Sequence, residues 1–494
     1  MLNRERWTVG LLLSVLTAHL ASGAGRSFWE DEVYTLQLAA KPATALLNAP
    51  EETASPFFCL LLQPWLALGT EEIVARLFPM LFAIAGAWLA FGWLRRFMGA
   101  PIAILTLLLL SLSPGFSLWT REVRPYGLFF LLTVATAACW WRYARDGTDR
   151  SLLPAILLST AAFLVHYAAF LQLLALALWP ALSRTARSRA CGLYLLAGPA
   201  ATALFSLLLW PDLFRTIADT VRIQVTGLPA LLPGGPVGRC AYGLFAFCLG
   251  ETVYPLNLPV LFLSAASFGL AGAYGLRALR SADRAASAFW TLWASFPLLA
   301  SAARGISFGP KYLIPSLLPF LLIAARGVLA LPRPWGVATL GAIVLSSLYS
   351  SVNDALGREH HNMARIEPLQ EVAEWIRGRG FEEGDELVLA PDHLPLRWYL
   401  RETPGTVISQ KFGRTPRRTG RLYYLLCSPG QDPEGKATLS TARRISEELR
   451  RELGPPDEEQ AWGADPLADN KSRWIQKTFL RYRLTLLLWE QARR

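Results

Sequence analysis

Apolar runs approaching the length of a membrane crossing recur from residue 7 to residue 352, separated by short clusters of arginine. A hydrocarbon core takes about 20 helical residues to cross, and that requirement limits what such a chain can become. The candidate spans fall at 7–24, 73–94, 101–118, 125–141, 152–165, 167–182, 191–210, 256–276, 286–303, 312–330 and 335–352. The expected fold is therefore a polytopic α-helical membrane protein of about eleven spans. Charged residues make up only 17% of the chain, against about a quarter in a soluble domain, and the shortfall is local to these runs.

The arginines order the spans. With the N-terminus inside, the inner connections carry Arg4 and Arg6; Arg95 and Arg96; Arg142, Arg145 and Arg150; Arg184, Arg187 and Arg189; Arg277, Arg280 and Arg284; and Arg326 with Arg333. Cytoplasmic loops concentrate positive charge in this way, so the net charge of +11 needs no nucleic acid to explain it. An odd number of spans then puts the C-terminal part outside. The apolar piece 239–250, flanked by Pro236 and Pro255, reads as interfacial or re-entrant; as a further span it would invert everything after it. The first run, Trp7 to Ala21, has the look of a signal peptide with Ala-Ser-Gly-Ala-Gly at 21–25 as its cleavage site, but is read as an uncleaved helix. The six cysteines show neither a CxxC nor a ladder of spacings, which argues against a disulfide framework or a zinc site.

Two domains follow. Residues 1–353 form the membrane domain, with a long outer loop at 25–72 that holds an amphipathic piece (31–47) and a half-length apolar piece (56–68), and another at 211–255. Residues 354–494 read as a small extracytoplasmic α/β domain. Its expected elements are an amphipathic helix from Leu369 to Arg377, a strand Glu386–Ala390 after Gly384-Asp385, a strand Arg421–Cys427, a helix at 437–453 and a strand or hairpin at 474–489.

Three stretches at outer ends of spans carry chemistry. The first is Trp29-Glu30-Asp31-Glu32, just after span one. Ser27-x-x-Glu30 makes a capping box, and acids in a first turn complement the helix dipole. Adjacent residues on a helix point about 100° apart, so Asp31 and Glu32 cannot both aim at one atom. One is expected to face a reacting group while the other caps, pairs or binds an ion. The second is Arg121-Glu122-Val123-Arg124-Pro125-Tyr126, a tight outer hairpin. Either Arg121 or Arg124 pairs with Glu122, or the guanidinium forks clamp a phosphate. The third is Arg304 with Lys311 and Tyr312, which either anchor a helix at the interface or converge with Arg124 into a cationic pocket that His166 would join. Trp29 and Tyr126 are further candidate pocket residues. His19 has no visible partner in span one, and His360-His361 lack the spacing of helical metal ligands. With no Gly-rich phosphate loop before a helix, a nucleotide substrate is disfavoured.

The order of these motifs resembles the integral-membrane glycosyltransferases of the C-type (GT-C) fold, in the bacterial branch similar to dolichyl-phosphate-mannose protein mannosyltransferases and aminoarabinose transferases. Beside the acidic pair and the Arg-Pro-Tyr hairpin, Ala75-Arg76-Leu77-Phe78-Pro79 resembles that family's start of the second span, and Lys311-Tyr312-x-x-Pro315 a later one, with Lys for the usual Arg. The resemblance implies a polyprenyl-phosphate sugar as donor, transfer on the periplasmic face of a bacterial inner membrane, and a glycan, lipid or protein acceptor. It implies Asp31 as general base and Arg124 with Lys311 on the phosphate; Glu32 and Glu122 are the other catalytic candidates of this chain, and Arg121, Arg304 and Tyr312 its further candidates for the phosphate. A divalent cation is allowed and not required. Where the family has His- or Lys-Pro-Pro in the first loop this chain has Ala54-Ser55-Pro56, so the sugar cannot be carried over. Two other readings are a flippase for lipid-linked sugars, which would place ionisable groups deep in its spans, and a glycan polymerase or ligase using diphosphate-linked donors.

Overall fold

A helix stands at each of the expected runs in the computed structural model, which describes residues 3–48, 56–183, 192–209, 235–254, 257–304, 309–359, 365, 367–390, 394–409, 420–427, 447, 449–451, 453–462 and 484–490. The helices in chain order are α1 (Asn3–Ala21), α2 (Glu30–Ala39), α3 (Ala43–Asn48), α4 (Pro56–Leu66), α5 (Glu72–Met98), α6 (Ala100–Ser111), α7 (Pro114–Thr120) and α8 (Tyr126–Ala144). They continue with α9 (Leu152–Val165), α10 (Ala169–Ser183), α11 (Gly192–Leu209), α12 (Gly235–Leu249), α13 (Leu258–Ala282), α14 (Arg284–Arg304), α15 (Ile314–Ala330) and α16 (Arg333–Ala355). Among the described residues, α5, α13, α15 (with the turn before it) and α16 are long and apolar enough to cross a bilayer individually, and the pair α6–α7 makes a fifth.

That pair corrects the expected straight span 101–118. The chain bends by 62° between α6 and α7. Ser113 caps the new helix by accepting the Phe116 N–H at 3.3 Å, and Pro114 occupies its first turn, where no intrahelical N–H is needed. A uniformly apolar run hides such a break.

The membrane unit is packed tightly in two ways. Backbone meets backbone between α13 and α15, where a Cβ on Gly275 would sit 1.9 Å from the Ile323 carbonyl and one on Gly327 1.7 Å from that of Ala271. Small residues four apart allow this approach inside a membrane. Elsewhere bulk does the filling: Trp93, Trp141, Trp179, Phe289, Trp290 and Trp293 form one buried aromatic cluster, with Trp141 and Trp179 stacked at 5.3 Å. Two of the buried indoles find acceptors, Trp140 on the Leu176 carbonyl at 3.0 Å and Trp179 on that of Ala285 at 2.9 Å.

Two compact units are resolved by their contacts. One comprises residues 1–25 and 35–356; the other joins residues 26–34 to residues 357–494. The C-terminal unit is built on a five-stranded mixed sheet of β1 (Glu386–Ala390), β2 (Thr406–Ser409), β3 (Leu422–Cys427), β4 (Glu458–Trp462) and β5 (Leu484–Trp489), in the order β2-β1-β3-β5-β4. β1 is parallel to β2 and β3, while β5 is antiparallel to β3 and β4. Helices α17 (Leu369–Gly378) and α18 (Leu394–Tyr399) belong to it. The turn before β1 is fixed by Asp385, which accepts the N–H groups of Glu382 at 3.0 Å and Arg421 at 2.8 Å and the Arg421 guanidinium at 2.7 Å. β1, β3 and the amphipathic helix stand where the sequence pattern puts them. β2 and β4 are additions, and β4 (Glu-Glu-Gln-Ala-Trp) lacks the alternation that would mark a strand. Of the helix expected at 437–453 the described residues, 447, 449–451 and 453, are helical; residues 437–446 and 474–483 lie outside the described residues.

Candidate active site

The three acids open α2, and its first turn gives each a different environment. Glu30 is exposed, Asp31 half-buried and Glu32 fully buried. Glu32 turns back and its Oε2 accepts the Trp29 N–H at 3.3 Å, satisfying a donor that the helix leaves over. Glu32 thus takes the capping role that the sequence left open between it and Asp31, at a helix start where Ser27 was the expected cap. Ser27 instead accepts the N–H of Gln370 at 3.0 Å and so caps α17 in place of a side chain from that helix's own start, which is Pro368. The rest of the segment packs likewise: the Phe28 N–H donates to the Tyr399 hydroxyl at 2.7 Å, the two rings stack, and the Arg365 guanidinium lies 4.9 Å over the Trp29 ring. Burial, reinforced by the negative charge of Glu30, pushes the Glu367 carboxyl up to about 7.

The hairpin between α7 and α8 divides its two arginines. The Arg121 guanidinium grips the Asp354 carboxylate of α16 with two parallel hydrogen bonds, 2.6 and 2.7 Å, and both side chains are buried. The fork lies so close over Gly23 that a Cβ there would meet it at 2.5 Å. The sequence left Arg121 between a phosphate and Glu122; two of its donors go instead to a buried partner far along the chain. Arg76 of the second-span motif serves the same turn, donating to the Ala24 carbonyl at 2.9 Å and so satisfying the end of α1. Arg124 points elsewhere and donates to the Thr35 hydroxyl, in the second turn of α2, at 3.0 Å. Glu122 is buried between the two arginines in sequence. His19 also has a partner after all, its Nδ1 lying 3.0 Å from the Ser111 carbonyl.

Around the start of α8 the remaining candidates gather. Tyr126 is its first residue, His166 bridges α9 and α10, and Lys311 and Tyr312 lie in the 3-10 turn Pro310–Leu313 that leads into α15. The His166 ring is 5.7 Å from that of Tyr126 and 5.4 Å from that of Tyr312, and the Lys311 ammonium is 5.8 and 5.6 Å from the same two tyrosine rings. Burial first, then the positive charges of Arg124 and Lys311, push the His166 imidazole down to about 3. The same burial favours the neutral imidazole, whose Nδ1 accepts the Ala168 N–H at 3.1 Å. An aromatic-walled site with two cations can hold a phosphate group. Below it, sequence reading missed Gln172, a fully buried amide whose Oε1 accepts from Trp293 and from Ser316, each at 3.0 Å. A glutamine inside an apolar run was the available signal. The side chain of Arg304 lies outside the described residues, as do His360 and His361. Among the described residues no group of three His, Cys, Asp or Glu side chains is placed to hold a metal ion.

This arrangement has relatives. Residues 53–210, which include the hairpin, match the family of dolichyl-phosphate-mannose-protein mannosyltransferases. The fold is similar to that of ArnT from Cupriavidus metallidurans, solved both in the apo state and bound to undecaprenyl phosphate, with a TM-score of 0.54, 14% identity and 97% of each chain covered. It is also similar to the oligosaccharyltransferase of Archaeoglobus fulgidus solved with zinc and sulfate, at a TM-score of 0.51 and 12% identity over 88% of this chain and 70% of that one. No curated protein matches this chain by sequence. The resemblance read from the order of the motifs holds over the matched segment, which carries Arg124, Tyr126 and His166 together.

Proposed function

We propose that the chain transfers a sugar from a polyprenyl phosphate to an acceptor hydroxyl at the outer face of the bacterial cytoplasmic membrane, with its N-terminus inside and its C-terminal unit outside. Arg124 and Lys311 hold the departing phosphate, which gains charge as the glycosidic bond breaks and is stabilised by fixed cations in a partly dry site. Asp31 takes the proton from the acceptor hydroxyl, a poor nucleophile without a base. Glu122 positions the acceptor or Arg124. Displacement in one step inverts the anomeric centre. The acceptor is a glycan, a lipid or a protein.

The observation that carries this reading is the gathering of Arg124 and Lys311 around Tyr126, His166 and Tyr312. The undecaprenyl phosphate in the ArnT structure supports a lipid-phosphate donor. The test is transfer of labelled sugar from a panel of polyprenyl-phosphate donors in membranes carrying the wild-type or Asp31→Asn chain. Asn should insert and fold normally while transfer falls by about 10²–10⁴-fold. Unimpaired transfer removes Asp31 as the base, and lipid-linked sugar that crosses the bilayer without being transferred supports a flippase instead.

A further inference from the structure

The helices that bring the cationic cluster together carry a second polar site at their other ends. α8 runs about 27 Å from Tyr126 to Ala144, and Arg326 lies about 18 Å along α15 from Ile314. There a cavity of about 340 Å³ is lined by Phe97, Trp141, Arg145, Asp146, Asp283 and Arg326, among others. It belongs to the end of the bundle where the basic connections lie.

The charges in this cavity fall into two classes. Arg145 and Asp283 are already paired with each other, and Arg145 also lies 4.7 Å over the Trp141 ring. Burial works to raise the Asp283 carboxyl, but the Ala286 N–H and the Arg145 guanidinium together hold it below the usual carboxylate range, so the pair stays charged. Arg326 and Asp146 are different. Arg326 is half-buried and Asp146 exposed, and neither has a hydrogen bond or ion pair among the described residues. One open cation and one open anion thus face a cavity of head-group size with aromatic walls. Basic pockets between helices at a membrane surface commonly take lipid head groups. A purely anionic head group would meet Asp146 unfavourably. A trimethylammonium head group would offer Asp146 no N–H. A phosphodiester linked to a primary ammonium satisfies both.

We propose that this cavity binds the head group of phosphatidylethanolamine, with the phosphodiester on Arg326 and the ammonium on Asp146. The acyl chains have exposed leucines to follow, Leu329 on α15 and Leu276 on α13, each within a turn of a lining residue.

The test is native mass spectrometry of the delipidated full-length chain in detergent, titrated separately with phosphatidylethanolamine, phosphatidylcholine and phosphatidylglycerol. The wild type should prefer phosphatidylethanolamine by about tenfold, roughly one charge-assisted hydrogen bond. Asp146→Asn should bring the ethanolamine-to-choline ratio close to one, while Arg326→Gln should weaken both lipids by about tenfold. Equal binding of the three lipids by the wild type overturns the proposal, as does a preference that survives Asp146→Asn. Displacement of the lipid by soluble phosphoethanolamine at matched concentration overturns the lipid as its source. Should Arg326→Gln fail to fold, the exposed Asp146 position still decides the matter. The assay needs no sugar donor, so its result is independent of the catalytic reading.

Discussion

The hairpin at 121–125 and the first turn of α2 are both dense in charge, and they divide it by the same rule. In the hairpin, Arg121 is closed into a buried pair with Asp354, whereas Arg124, three residues on, reaches Thr35 and acts on His166. In α2, Glu32 closes its own helix start, whereas Asp31, one residue earlier, stays half-buried. On the proposed mechanism, each stretch uses one charge to hold the chain and leaves its neighbour for chemistry. A local excess of charge therefore marks the place where a site is built, and the direction of each side chain, about 100° apart per residue in a helix, decides which member serves it.

That division can be broken by experiment. Its largest consequence is at Arg121: replacement by alanine strands the Asp354 carboxylate in an apolar interior and should cost about 3–5 kcal/mol, read from thermal or detergent-induced unfolding. Adding Asp354→Asn should return part of that loss; a single variant as stable as the wild type would erase the contrast between the two arginines. Arg124→Gln comes next, with transfer reduced by about 10²-fold, comparable to losing one donor to a developing anion, and an unchanged melting point. A fall in stability like that of Arg121→Ala would make Arg124 another structural group. Glu32→Ala should cost about 1 kcal/mol as a lost cap and leave transfer by the folded enzyme within a few-fold. If it abolishes transfer as Asp31→Asn is expected to, the two acids are not divided.

The last effect concerns pH. The Glu367 carboxyl, raised to about 7, keeps a proton in the folded state that the unfolded chain has already lost. Stability of the C-terminal unit should thus be fully present below the ordinary carboxylate value and fall as pH rises from there to about 7. Glu367→Gln should flatten that slope, and an identical slope in the variant would assign it to another group.

Much of the helical layout was legible because an apolar run in a bilayer has so few alternatives. Lys311, Tyr312, Tyr126 and His166 were each conspicuous for a polar or aromatic group at the end of a span, and the structure brings them together. Partners distant in sequence were not legible. Nothing beside Arg121 points to Asp354, and the boundary drawn at 353 even assigned that aspartate to the outer domain, whereas the membrane unit extends to Leu356. The bend at Ser113-Pro114 was concealed by an unbroken apolar run. β4 went unseen because its pairing with β5 supplies what its own pattern does not. Thr35 lies inside a helix with nothing local to mark it.

The hydroxyl of Ser27 that caps α17 has a bearing on how the molecule is made. Gln370, whose N–H it receives, follows 343 residues later. At a ribosomal rate of about 5–20 residues per second, roughly 17–70 s pass between their synthesis. The turn that carries Asp31 emerges among the earliest parts of the nascent chain and must wait for one of the last before its surroundings are complete. Until then the membrane helices can insert while the acid stretch lacks the neighbours that Gln370 and Tyr399 supply.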